Sequence, residues 1–333
     1  MRAARGGSGG AAARALDPLS DLLRVVRFDG AFFYAVEAAE PWSVATPGTA
    51  ELSARVMPQV DHLISYHILI EGRCYGGLTG QHQVEMAPGD VIVFPHGDAH
   101  LMSSARGLQP GPAVNSGTSA RHVQTVHLGD NGPRSALVVC GFLGCDRRPF
   151  NPLLAALPRQ MHMRGLSNAG LSTFTRQLTE ESTLGRAGAD CVLTRLAELM
   201  FIDVLRRYLD ELPAGQTGWL AGLRDAVVGQ ALTLLHARPG DDWTLAALAR
   251  ESASSRSNLT RRFTQLVGQP PMQYLAQWRM QVAASLLANS GAKVAAVGSE
   301  VGYDSEAAFS RAFKKATGLA PGSWREARRV ART

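Results

Sequence analysis

The chain has 333 residues, of which 45% are hydrophobic and 19% charged, with a formal net charge of +6. That length and apolar content suit two folded domains and exclude a wholly disordered protein. No stretch reaches the ~20 apolar residues of a membrane span, and four irregularly spaced cysteines exclude a disulfide-stapled secreted framework.

Residues 1–15 are almost all Ala, Gly, Arg and Ser, which predicts a disordered tail. They hold no apolar run of the ~7–15 residues a secretory signal needs, so a cytoplasmic location is expected. From about residue 16 the pattern becomes short strands with turn punctuation. The strand candidates are Ala31–Val36, His62–Ile70, His82–Met86, Val91–Phe94, His122–Leu128 and Ala136–Cys140. Turn signals such as Pro88-Gly89-Asp90 and Asp130-Asn131-Gly132 separate them, and this spacing favours a β-sandwich or barrel over residues 16–160. Ser103 to Arg121 is rich in Gly, Pro and Ser and is predicted to be a mobile loop.

Gly89, Pro95, Gly97 and His100 stand at the spacing of the second sequence motif of cupin barrels, and His67–Glu71 (HILIE) is similar to part of the first. The resemblance implies a cupin-type sensor domain. Metal cupins carry two histidines separated by one residue, then a glutamate, then a histidine from the second motif; here His67, Glu71 and His100 fit three places and Ser65 replaces the first. Three such ligands can hold a divalent ion with open positions. The plainer alternatives are buried, hydrogen-bonded histidines and an apolar cavity for a small effector, with no resident cofactor. Cys140 and Cys145 flank the end of a predicted strand, as either a redox or soft-ligand pair or two inert buried thiols.

Residues 161–212 read as a helical connector, with helices at Gly170–Leu184 and Ala189–Leu212. The second carries Leu193, Leu196, Leu199, Met200, Val204, Leu205 and Tyr208 in one broad apolar stripe. That stripe serves either packing on the barrel or a homodimer interface. Residues 213–217 are the predicted linker.

The C-terminal part, 218–333, contains a segment that occurs twice, 50 residues apart. Ser255–Gly268 (SRSNLTRRFTQLVG) aligns with Ser305–Gly318 (SEAAFSRAFKKATG), and Pro271 and Tyr274 answer Pro321 and Trp324. Each copy follows a short helix and a small-residue turn, so two helix-turn-helix units are expected at 244–267 and 294–317. Thr244 and Ser255 are expected caps, and Gly268 is the expected stop. Pro271–Leu287 reads as one helix between them, roughly 25 Å long. With Leu259 and Phe263 inward, Ser257, Thr260, Arg261 and Thr264 lie outward; the second copy presents Glu306, Ala307, Ser310, Arg311 and Lys314. Arginine can pair bidentately with guanine, Lys314 and Lys315 suit phosphates, and Arg262 joins the DNA-binding set. Residues 218–333 hold 15 Lys plus Arg against 8 Asp plus Glu, so the basic excess of the chain belongs to the repeat.

Trp243–Ala249 (WTLAALA), Ser255–Phe263 (SRSNLTRRF), Gly302-Tyr303, Phe309–Lys315 (FSRAFKK) and Gly318–Arg325 (GLAPGSWR) resemble the AraC/XylS family of bacterial transcription regulators over about 100 residues. The resemblance implies base-facing roles for Ser257, Thr260, Arg261, Glu306, Ala307, Ser310 and Arg311. It also implies double-stranded DNA and RNA polymerase as partners. Gly298 and Trp324 depart from the usual Ala and Tyr. The expected fold is α+β in two domains: a cupin-like β-barrel or sandwich, a helical connector, and an all-α domain with two helix-turn-helix motifs. The expected protein is a regulator, more an activator than a repressor, and not an enzyme, governed by a small effector, oxidant or metal. Two other readings stay open: a cupin metalloenzyme with a nucleic-acid anchor, and a constitutive DNA binder whose barrel is a dimerisation scaffold.

Overall fold

The computed structural model describes residues 17–26, 28–58, 60, 62–111, 124–130, 132–145, 148–165, 177, 180–181, 187–213 and 215–330. The predicted tail, most of the predicted loop 103–121 and most of the predicted helix 170–184 lie outside these residues.

The N-terminal domain is two facing sheets. The larger orders its strands β10 (Met161–Met163), β6 (Val91–Phe94), β3 (His62–Gly72), β9 (Ala136–Cys145), β1 (Phe28–Ala38) and β8 (Gln124–Leu128). The smaller orders β2 (Ser43–Thr46), β7 (His100–Ser103), β4 (Cys74–Leu78) and β5 (Val84–Met86). All pairings are antiparallel except β1 with β8. The central strand β3 is buried from His62 to Leu69, because the smaller sheet covers one face and helices the other. Tyr66 lies across Gly141, where any Cβ would stand 2.2 Å from the ring; only glycine admits it. The helices α1 (Pro18–Val25), α2 (Thr49–Val56) and α3 (Pro152–Ala156) and the strands β2, β4, β7 and β10 were not expected. They are short, and Gly76 and Gly77 weaken the strand signal of β4.

The connector helix α4 (Ala189–Glu211) packs on β1, β9 and β10. Leu193, Met200, Val204 and Leu205 of the predicted stripe are buried there, and Phe201 meets Phe28 edge-on at 5.5 Å. Leu199 of the same stripe is 60% exposed, with Val192, 40% exposed, one heptad before it.

The C-terminal domain comprises α5 (Trp219–Arg224), α6 (Ala226–Ala237), α7 (Leu245–Glu251), α8 (Arg256–Val267), α9 (Pro271–Asn289), α10 (Val294–Glu300), α11 (Glu306–Thr317) and α12 (Pro321–Val330). The expected signals all act. Thr244 Oγ1 accepts from the Ala247 amide, Ser255 Oγ from Asn258 and Ser305 Oγ from Ala308. Gly268 and Gly318 close α8 and α11 in the left-handed region, at φ 84° and 81°.

The two halves of this domain have different cores. The first helix-turn-helix contributes Leu248, Leu259 and Phe263, and the start of α9 contributes Tyr274 and Trp278, to a cluster continuous with α1, α3, α4 and the outer face of the barrel. The second has its own cluster around Leu287, Val297, Phe309, Phe313 and Trp324. Phe150, between β9 and α3, donates its N–H to Gln281 Oε1 (2.9 Å) and sets its ring against Tyr274. The barrel therefore touches the reader directly rather than only through the linker.

Candidate nucleic-acid interface and the buried barrel cluster

Leu259, Phe263, Phe309 and Phe313 are fully buried, so helical phase turns the opposite faces of α8 and α11 outward. Ser257, Arg261, Glu306, Ala307, Arg311, Lys314 and Lys315 are exposed, and Thr260 and Ser310 half-buried beside them. These residues form one outward face on each of the two recognition helices, as expected. Gly298, the departure from the usual Ala, lies against Phe309: a Cβ there would sit 3.1 Å from the Phe309 side chain.

Arg262 is placed differently from expectation. Its guanidinium pairs with Asp225, which also caps α6 by accepting the Val227 and Val228 amides (3.0 and 2.9 Å). Burial opposes ionisation of Asp225, but Arg262 and the two amides outweigh it and hold the carboxyl below its usual range. Arg262 thus anchors α8 to α6 while its side chain stays 42% exposed. The neighbouring Arg224 donates to the Leu209 and Leu212 carbonyls at the end of α4 (3.3 and 2.9 Å), tying the connector to the same corner.

Inside the barrel, His67 and Cys140 face each other across the β3–β9 ladder, and His100 reaches them from the other sheet. The Cys140 Sγ lies 2.8 Å from His67 Nδ1, His67 Nε2 lies 2.7 Å from His100 Nε2, and His100 Nδ1 lies 2.8 Å from the Asp98 carbonyl. That carbonyl can only accept, so His100 Nδ1 carries a proton and the neutral ring accepts at Nε2. His67 then donates from Nε2 and accepts at Nδ1 from the Cys140 thiol. Every link is satisfied with all three groups neutral. Burial favours the neutral form of each: the pKa of His100 falls to about 4, that of His67 falls well below its usual value, and that of the Cys140 thiol rises.

Glu71 does not join them. Its side chain is exposed and bound to Arg134 (2.7 Å), which also reaches Glu37. The β3–β9 register shifts between Leu69 and Glu71, and one irregular residue moves later side chains to the other face. The three-residue set of the metal alternative is therefore not assembled, and among the described residues no group of three His, Cys, Asp or Glu is placed to hold a metal ion. Cys140 and Cys145 also stay apart. Five residues along one strand span about 17 Å and point to opposite faces, whereas a disulfide needs Cα atoms within ~7 Å. Cys145 lies in the core beneath the helices and Cys140 in the barrel interior. Diamide-treated, denatured and digested protein is expected to show no Cys140–Cys145 peptide cross-link by mass spectrometry.

The sequence reading missed Asn258, Asp225 and the pairing of His67 with Cys140. Only Asn258 left a local trace, its three-residue spacing from Arg261 on the outward side of α8.

A barrel whose core runs into a duplicated helix-turn-helix defines a two-domain protein with a sheet-rich domain joined to a DNA-binding domain. Comparison with known proteins agrees: a cupin family model matches residues 17–210 and a helix-turn-helix domain model matches residues 248–327. A putative AraC-like transcription regulator of Streptomyces antibioticus is 31% identical over 318 residues, covering 93% of this chain and 99% of its own. The HTH-type transcriptional regulator AlkR of Acinetobacter baylyi is 28% identical over 272 residues, covering 80% and 88%. The DNA-binding domain of AdpA, solved with a target DNA, is 27% identical over 32% of this chain and 97% of its own, with a TM-score of 0.31. The chain belongs to the AraC-type family of DNA-binding transcription regulators with an N-terminal cupin domain. No helix among the described residues is long and apolar enough to cross a membrane.

Proposed function

We propose that this regulator reads a two-part operator with α8 and α11, through Ser257, Thr260, Arg261, Glu306, Ala307, Ser310 and Arg311, while Lys314 and Lys315 meet phosphates. The observation that carries the reading is the duplication itself: two capped helices with the same buried phase on either side of α9. At 1.5 Å per residue, the 19 residues of α9 span about 28 Å, suited to helices in successive major grooves ~34 Å apart.

Control enters through the barrel, where a small effector, an oxidant or a metal that favours one arrangement shifts the population competent for DNA. The core shared by barrel and first reader supports that coupling, and the neutral His67–His100–Cys140 chain is the sensing element we favour. Transcription activation follows from contact with RNA polymerase in the cytoplasm, with no catalytic step and no resident cofactor. A second copy of the chain is the proposed partner of the Val192–Leu199 face of α4.

Arg261→Ala and Arg311→Ala are each expected to weaken operator binding by about 1–3 kcal/mol, measured by fluorescence anisotropy on DNA. Lys314→Ala and Lys315→Ala should weaken all sequences alike and flatten the dependence on salt. Wild-type affinity in both arginine variants would overturn the assigned faces.

A further inference from the structure

The two readers, equivalent in sequence, are not equally braced. In the first, Arg261 Nη2 donates to Asn258 Oδ1 (3.0 Å), and Asn258 Nδ2 donates to Ser254 Oγ (2.9 Å). The second bond fixes which end of the amide faces the arginine. Asn258 is half-buried in the first turn of α8, so it is itself held in place. In the second reader the positions 50 residues on are Asp304, Ala308 and Arg311. A methyl group offers no acceptor, and among the described residues the Arg311 side chain makes no hydrogen bond or ion pair. The anchor is one-sided as well: Arg262 pairs with Asp225, while its counterpart is Ala312.

We propose that Asn258 is a positioning residue that presets Arg261 for base recognition, making the first helix-turn-helix the more discriminating of the two. Guanidinium has five N–H donors, so one bond to Asn258 leaves a free edge for the two acceptors of a guanine. A side chain already ordered loses less freedom on binding, and a fixed fork penalises the wrong base more sharply than a mobile one. Arg311, unbraced, adapts to its site and tolerates more sequences.

The inference rests on the reading that Arg261 and Arg311 face bases, and one experiment separates the two. The full-length protein would be used to select binding sites from random duplex DNA, comparing wild type, Arg261→Ala, Asn258→Ala and Ala308→Asn. Wild type is expected to yield one sharply defined half and one softer half. Asn258→Ala should lower base preference about three- to tenfold at the position that Arg261→Ala erases, leaving other positions and the salt dependence unchanged. Ala308→Asn should sharpen the softer half by a similar factor, because the introduced amide finds Asp304 where Asn258 finds Ser254. If Arg261→Ala leaves the selected motif unchanged, the base-facing reading itself fails. If Arg261→Ala erases a position that Asn258→Ala leaves intact, or Ala308→Asn sharpens nothing, the bracing role is wrong although Arg261 still reads DNA.

Discussion

Lowering the pH below 6.5 is expected to destabilise the C-terminal domain by about 1.4 kcal/mol per pH unit, reaching roughly 3 kcal/mol near pH 4.5. The cause is His236 on α6. Its Nε2 lies 2.6 Å from the Tyr274 hydroxyl, which in turn accepts the Trp219 indole N–H at 2.8 Å. The ring stacks on Trp278 at 4.0 Å, and its Nδ1 is buried without a partner. Burial alone pushes the imidazole down to about 3. The unfolded chain takes up a proton near pH 6.5 and the folded one does not until about 3. Stability from this group is therefore complete above 6.5 and declines as pH falls through that window. Four of the five tryptophans, Trp219, Trp243, Trp278 and Trp324, lie in this domain, so urea unfolding followed by tryptophan fluorescence reports it selectively. His236→Leu should flatten the acid limb between pH 6.5 and 4.5. An unchanged slope in that variant would assign the acid sensitivity elsewhere.

Phe309→Ala should cost about 3–5 kcal/mol and should do so in one half of the domain only. Phe309 is fully buried, 5.6 Å from Phe313 and 5.7 Å from Tyr303 between ring centroids, and it fills the space left by Gly298. It belongs to the smaller core, which includes none of the buried residues of the first reader. Hydrogen exchange is expected to speed up about 100-fold or more across α10–α12, with α7 and α8 close to wild type. On DNA the variant should protect one half of the operator and leave the other open. Equal loss of protection in both halves would show that the two readers fold as a single unit.

The C-terminal architecture was legible because its signals are local. Caps at Thr244, Ser255 and Ser305, stops at Gly268 and Gly318, and the spacing of Leu259 and Phe263 each operate within a turn or two of helix. Duplication repeated those signals and fixed their phase. The barrel was legible in outline only. Its longer strands alternate or run apolar, but three- to five-residue strands such as β4 and β10 carry too few residues to show a period.

Side-chain meetings followed a different rule. From the amino-acid order came the duplicated reader, its outward arginines and the resemblance of the N-terminal half to a cupin. Only the tertiary structure joined His67 to Cys140 and His100, which lie 73 and 33 residues away, and tied Arg262 to Asp225, 37 residues off. It alone turned Glu71 outward, through one irregular register step in β3, and merged the barrel core with that of the first reader. The physical reason is range: capping and helical phase are set by neighbours a few residues apart. Which polar groups share a buried space depends on strand register and sheet packing, and these leave no local pattern in the chain.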